Sequence, residues 1–169
     1  MTTRTYTHWV EPMAVRDHEG RAELIEFARS VPEDVWRRPS PLEGWTCKDV
    51  LAHLAGDTGK WFAHILQSVI RGEGFDLERA GPRADVDAIN ARDIRERDDR
   101  SAAELIAEIT ADGEEHEELL SRLTQDHKDK RLTGYEIGLA EFLASNAAGS
   151  RGGHDREHLA QLRTALDIA

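Results

Sequence analysis

The chain has 169 residues, with 33 acidic against 22 basic side chains and a formal net charge of -11 at pH 7. This length fits one domain around one core and is short for two, and so acidic a surface argues against nucleic acid and anionic membranes as partners, because phosphate recognition needs clustered positive charge. A single cysteine, Cys47, excludes an internal disulfide framework, and with no signal-like segment and no run near the roughly 20 apolar residues of a membrane span, a soluble cytoplasmic protein is expected.

Abundant Ala, Leu, Glu and Arg with few prolines favour helix. Residues 1–12 read as an irregular arm, polar except for Tyr6, Trp9 and Val10. From about Met13 to Ser30 the residues Val15, Leu24, Ile25, Phe27 and Ala28 give a first helix one buried stripe. Ser30 and Glu33 stand at capping-box spacing around Pro32, which ends that helix and starts a short extra turn. Prolines and Gly44 make 38–44 a loop.

Thr46-Cys47-Lys48-Asp49 is the clearest start signal, a capping box with Trp45 and Val50 placed as a hydrophobic staple. The stripe Val50, Leu51, Leu54, Trp61, Phe62, Ile65, Leu66, Val69 and Ile70 predicts one long second helix to about Arg71, weakened slightly by Gly56 and Gly59. His53 lies on it, with Asp57 one turn further along the same face. Gly72 to Arg100 reads as a crossover holding a short helix from about Val86 to Arg97. A second capping box, Ser101 with Glu104, opens a third helix bearing Leu105, Ile106, Ile109, Leu119, Leu120 and Leu123. After a loop from Thr124 to Gly134, a fourth helix is expected from Glu136 to Leu166, with Leu139, Phe142, Leu143, Leu159, Leu162 and Leu166 inward. Gly149, Gly152 and Gly153 interrupt it, where a local irregularity or a close helix approach is expected.

Four helices with one stripe each make an all-α bundle, taken here as a single domain over 1–169. Short connections join antiparallel neighbours, and the long crossover lets the second and third helices run parallel, which gives up-down-down-up. The second and fourth helices are then antiparallel. At about 1.5 Å per residue, His53 stands roughly 10 Å from the start of its helix, and His154 and His158 stand roughly 12 to 18 Å from the end of theirs. The levels agree to within about a turn.

His154 and His158, at i and i+4, project from one helix face and can reach a single point. Two ligands rarely suffice for a metal, and a third histidine on a facing helix would complete an open, three-ligand catalytic site. Against this stands a solvated face for His154 and His158 and a satisfied core histidine for His53.

The segments Gly44-Trp45-Thr46-Cys47-Lys48-Asp49-Val50-Leu51-Ala52-His53-Leu54 and His154-Asp155-Arg156-Glu157-His158-Leu159-Ala160-Gln161-Leu162, in this order and at this separation, resemble the DinB-like superfamily of metal-binding four-helix bundles. Asn90, opening a helix in the crossover, is a weaker match. The resemblance spans nearly the whole chain. It implies an up-down-down-up bundle, a homodimer, and a divalent transition metal (zinc, nickel or iron) held by His53, His154 and His158. Members of known chemistry include thiol-dependent enzymes, a maleylpyruvate isomerase using mycothiol and S-transferases using bacillithiol. The chain is therefore expected to be a bacterial-type metalloprotein in which a low-molecular-weight thiol is directed at a small electrophilic substrate. The alternatives are a metal-dependent hydrolase, a non-catalytic bundle that binds a small molecule, and a structural bundle with empty histidines.

Other residues are weighed the same way. Asp57 would orient a ligand imidazole, act as a general base on a metal-bound water, or face solvent. His116, on the inner stripe of the third helix, is expected to be a buried hydrogen-bonded histidine rather than a fourth ligand. His64 is three turns from His53 and cannot share its metal. Cys47 could gain reactivity from the helix N-terminus, but a small residue in a first turn is the plainer reading. Trp36, Trp45 and Trp61 are expected to pack, although one could line a pocket above the metal.

Overall fold

The computed structural model describes residues 4–73, 86–131, 136–145 and 151–167, leaving aside the side chains of 57–59. Its α-helices are α1 (Glu11–Ser30), α2 (Cys47–Ala55), α3 (Asp57–Ile70), α4 (Val86–Arg95), α5 (Ala102–Ser121), α6 (Leu139–Ala144) and α7 (Arg151–Leu166), with 3-10 turns at Glu33–Arg37 and Gln125–His127. Among the described residues there is no strand, only isolated antiparallel bridges between Pro39 and Thr46 and between Arg131 and Gly138. None of the described helices is long and apolar enough to cross a membrane.

Both main capping boxes form where the sequence places them. Thr46 Oγ1 accepts from the Asp49 N–H at 3.2 Å while the Asp49 carboxylate accepts from the Thr46 N–H at 2.8 Å, and Ser101 and Glu104 do the same for α5. Ahead of α2, the Ser40 N–H donates to the Trp45 carbonyl at 2.8 Å and the Cys47 N–H to the Arg38 carbonyl at 2.9 Å. Gly44, at φ 78°, supplies the left-handed turn that closes this loop. The Ser30–Glu33 box does not form. Ser30 Oγ donates back to the Phe27 carbonyl, and Glu33 accepts the Ala102 N–H at 3.0 Å, capping α5 from a distance instead.

The long second helix is the principal correction. It breaks at Gly56, whose ψ of -170° ends α2 and starts α3. The Asp93 carboxylate, 1% exposed, fills the place a side chain at 56 would occupy. A carboxylate there faces the positive end of α3, so the break is stabilised where a continuous helix would leave Asp93 buried without that field. The expected fourth helix also divides, into α6 and α7. Gly149 lies outside the described residues.

Helix directions follow from their contacts. Asp17 meets Gly152, Arg21 meets Asp155 and Glu23 meets Arg156, so α1 and α7 run the same way. Asp17 meets His116 and Arg21 meets the Ile109 carbonyl, so α1 and α5 are opposed. Lys48 reaches the carbonyls of Asp98 and Arg100, and Gln67 reaches Glu115, so α2 and α3 follow the direction of α5.

Where one core was expected, the buried apolar residues fall into two clusters. The first joins Leu24, Phe27, Trp36, Leu51, Leu54, Leu105, Ile109 and Leu162; the second joins Met13, Ile65, Leu66, Leu120, Leu139 and Phe142. Along α1, α5 and the α2–α3 break, the residues separating the two are polar or glycine: Asp17, Arg21, Gly113, His116 and Gly56. Arg151 and Asp155 at the start of α7 complete this buried belt.

Candidate metal centre

His53 occupies the last turn of α2 and is 5% exposed. His154 and His158 stand one turn apart near the start of α7. The three residues converge, with one nitrogen from each lying within 4.8 Å of the others. His154 Nε2 is 3.3 Å from His53 Nε2 and 3.2 Å from His158 Nε2. In four-coordinate zinc with Zn–N of about 2.0–2.1 Å, ligand nitrogens stand about 3.3–3.4 Å apart. The two edges therefore match a tetrahedral face.

The other ring nitrogens fix two of the tautomers. His53 Nδ1 donates to Asn90 Oδ1 at 3.1 Å, and His158 Nδ1 donates to Gln161 Oε1 at 2.8 Å. Each proton placed on Nδ1 leaves a lone pair on Nε2, facing the common point. His154 Nδ1 is buried and has no partner among the described residues. Two fixed lone pairs lie beside His154 Nε2, and with the His154 proton on Nδ1 the three nitrogens form a donor set that fits a divalent metal.

Electrostatics keep the imidazoles neutral. Burial, then the neighbouring His158, pushes His53 down to about 4. Burial, then His158 and His53, pushes His154 down to about 2. His158 is lowered by burial, with the Gln161 hydrogen bond opposing the shift. Arg151 adds its positive charge to the fields at His53 and His154. Its own guanidinium is pushed to about 10 by burial and by Arg21, with Asp155 opposing, so it stays charged at neutral pH. A metal bound by three neutral imidazoles keeps its full charge, which favours Lewis-acid chemistry.

Other expectations divide. His116 is a buried histidine whose Nε2 donates to Asp17 at 3.2 Å, as expected, and His64 is exposed on α3. Cys47 is fully buried and burial raises its pKa, with Arg38 opposing, so the thiol is a first-turn packing residue. The continuous helix expected to carry His53 and Asp57 together is interrupted at Gly56, and Asp57 is the first residue of α3; its side chain lies outside the described residues. Trp36 is core and Trp61 packs edge-to-face with Phe62 and Phe142, whereas the Trp45 ring lies 5.4 Å from the His53 ring.

Several polar residues around the site carried no assigned role in the sequence. Gln161 stands three residues after His158, and Asn90 matched only as a motif position. Asp17 and Arg21 continue the spacing of Leu24 and Ala28 on the buried face of α1, a signal that an apolar stripe search passes over. Val15, assigned to that stripe, is 48% exposed.

A family model described as the mycothiol maleylpyruvate isomerase N-terminal domain matches residues 18–151. The matched stretch contains His53 and Asn90 and ends before His154 and His158. No curated protein and no solved structure matches the chain.

Proposed function

Because the chain belongs to the mycothiol maleylpyruvate isomerase N-terminal domain family, within the DinB-like superfamily, we propose that it binds a divalent transition metal through His53, His154 and His158 and directs a low-molecular-weight thiol at a small electrophile. The observation that carries the reading is the convergence of three Nε2 atoms at ligand spacing, with Asn90 and Gln161 holding two of the Nδ1 protons away from the metal side. When bound, the metal would hold a coordinated thiol deprotonated at neutral pH. The chain's own part is to present unprotonated nitrogens, exclude water from all but the open side, and orient the rings. Trp45 adds an apolar surface beside the His53 ring. Asp57 is proposed as the carboxylate of the site, following α2 directly after the break. The helix directions support an up-down-down-up four-helix arrangement with α2 and α3 as one arm and α6 and α7 as another. A homodimer, which rests on the family resemblance, and a cytoplasmic location, which rests on the single cysteine, are parts of the same proposal.

Elemental analysis of protein purified without an affinity tag tests the metal. About one divalent ion per chain is expected, and both His53→Ala and His158→Ala should lower its affinity by at least about tenfold. The metal reading fails if fewer than roughly a tenth of the chains retain an ion and added zinc produces no stabilisation. Turnover of model electrophiles with a panel of thiols then separates a transferase or isomerase from a hydrolase or a non-catalytic binder. Asp57→Asn in that assay should reduce turnover while metal content is kept; unchanged turnover would remove Asp57 from the chemistry.

A further inference from the structure

The first turn of α7, just before His154, has backbone N–H groups that its own helix cannot satisfy. One of them is satisfied from another helix. The Gly152 N–H donates to Asp17 Oδ1 on α1 at 3.0 Å, and Asp17 Oδ2 in turn accepts from His116 Nε2 on α5 at 3.2 Å. Asp17 is 5% exposed. Burial alone would raise its carboxyl pKa, but the hydrogen bond and electrostatic attraction of His116, the Gly152 hydrogen bond and the field of Arg16 together outweigh that effect and hold it below the ordinary value. An ionised acceptor is therefore maintained at the positive end of α7.

The short Asp17 side chain reaches this turn because two glycines let the helices touch. A Cβ on Gly20 would lie 2.5 Å from the Gly152 carbonyl oxygen, and a Cβ on Gly152 would lie 2.5 Å from the Arg16 carbonyl oxygen and 2.7 Å from Asp17 Cα. These neighbours are backbone atoms and cannot swing away. In the same turn, Arg151 donates to the carbonyl of Leu54, the residue after His53, at 3.4 Å. The ligand-bearing turn of α7 is thus tied to α1 and α5 through Asp17 and to α2 through Arg151.

We propose that Asp17 is a positioning residue of the metal centre, although α1 supplies no ligand: by capping α7 across the Gly20–Gly152 contact, it sets the register that holds His154 and His158 against His53. A metal site tolerates ligand distances only to within about 0.2 Å, whereas one residue of helical slip moves a side chain by about 1.5 Å along the axis and swings it to another face. The inference rests on the metal reading above.

The test compares zinc affinity, by competition with a chromophoric chelator, and the cobalt(II) absorption spectrum in the wild type, Asp17→Ala, Asp17→Asn and Phe142→Leu. Asn keeps an acceptor for the Gly152 N–H, and Phe142 lies in the second apolar cluster, apart from the triad. Asp17→Ala should weaken zinc binding by about tenfold or more and shift the cobalt bands away from the tetrahedral pattern. Asp17→Asn should stay within about threefold of wild type, since the cap survives. Phe142→Leu should lower the melting temperature without moving either metal readout. Wild-type affinity and spectrum in Asp17→Ala, or equal weakening in Phe142→Leu, would overturn the proposal while leaving the metal reading intact. Wild-type protein that binds neither ion would overturn both. Should Asp17→Ala not fold, Gly20→Ala decides, because it forces the two backbones apart and is expected to weaken zinc binding; wild-type affinity in that variant overturns the proposal.

Discussion

His53, His154 and His158 resist protonation because their surroundings are dry, and His53 and His154 also because they face the neighbouring imidazoles. An unfolded chain would take up a proton at each near the ordinary value of 6.5, whereas folded His53 waits until about 4 and folded His154 until about 2. Between pH 6.5 and about 4 the unfolded state therefore binds more protons, and stability falls as pH falls through that window. For metal-free protein we expect His53 and His154 each to remove about 1–2 kcal/mol between pH 7 and pH 5, read as a drop in the urea midpoint. In a His53→Gln, His154→Gln variant that drop should shrink; a drop unchanged from wild type would show that other groups carry it.

At the element scale, Gly56 decides how the candidate site is built. A glycine inside a continuous helix would make Gly56→Ala stabilising by up to about 1 kcal/mol. Here the added Cβ collides with the buried Asp93 carboxylate, so overpacking of about 1–3 kcal/mol should prevail. Chemical denaturation of Gly56→Ala gives the answer from its sign alone. The break also ends α2 within three residues of His53, and the His53 carbonyl accepts the Gly56 N–H at 3.1 Å, so the ring belongs to a final turn whose position is fixed by the break. The division of the expected fourth helix has a related consequence: His154 sits in a first turn, where side chains from other helices can complete the backbone hydrogen bonding.

Across the whole molecule, the two apolar clusters flank a belt of buried polar side chains that includes Asp17, Arg21, Arg151 and Asp155. Arg21 donates to Asp155 at 2.7 Å and also to the Ile109 carbonyl, joining α1 to α7 and α5. Buried ion pairs of this kind add little net stability over apolar packing, but removing one partner is costly. A metal bridging α2 and α7 would supplement that belt with bonds of its own. Zinc at about a hundredfold excess over its Kd should add about 2.7 kcal/mol, a rise in Tm of roughly 5–11 °C for a chain of this size. Calorimetry with and without zinc checks this, and His158→Ala should cut the rise to about half or less at the same zinc concentration.

Much of this was legible in the residues themselves. Thr46 with Asp49 and Ser101 with Glu104 specify helix starts through hydrogen bonds three residues apart, and the i, i+4 histidines share a face through helix geometry alone; such short-range physics is written in adjacent letters. The composition and stripes dictate helices, and the paired motifs carry the family. Only the tertiary structure decided the Gly56 break, because its cause, Asp93, lies 37 residues away along the chain. The same holds for the Asn90 and Gln161 contacts that set the tautomers and for the Asp17 cap on α7, since a polar side chain acquires such a role from the partner that folding brings to it. The sequence named the three histidines as candidates through their spacing and their family, while the distances between their nitrogens, on which any metal depends, come from how α1, α2, α5 and α7 meet.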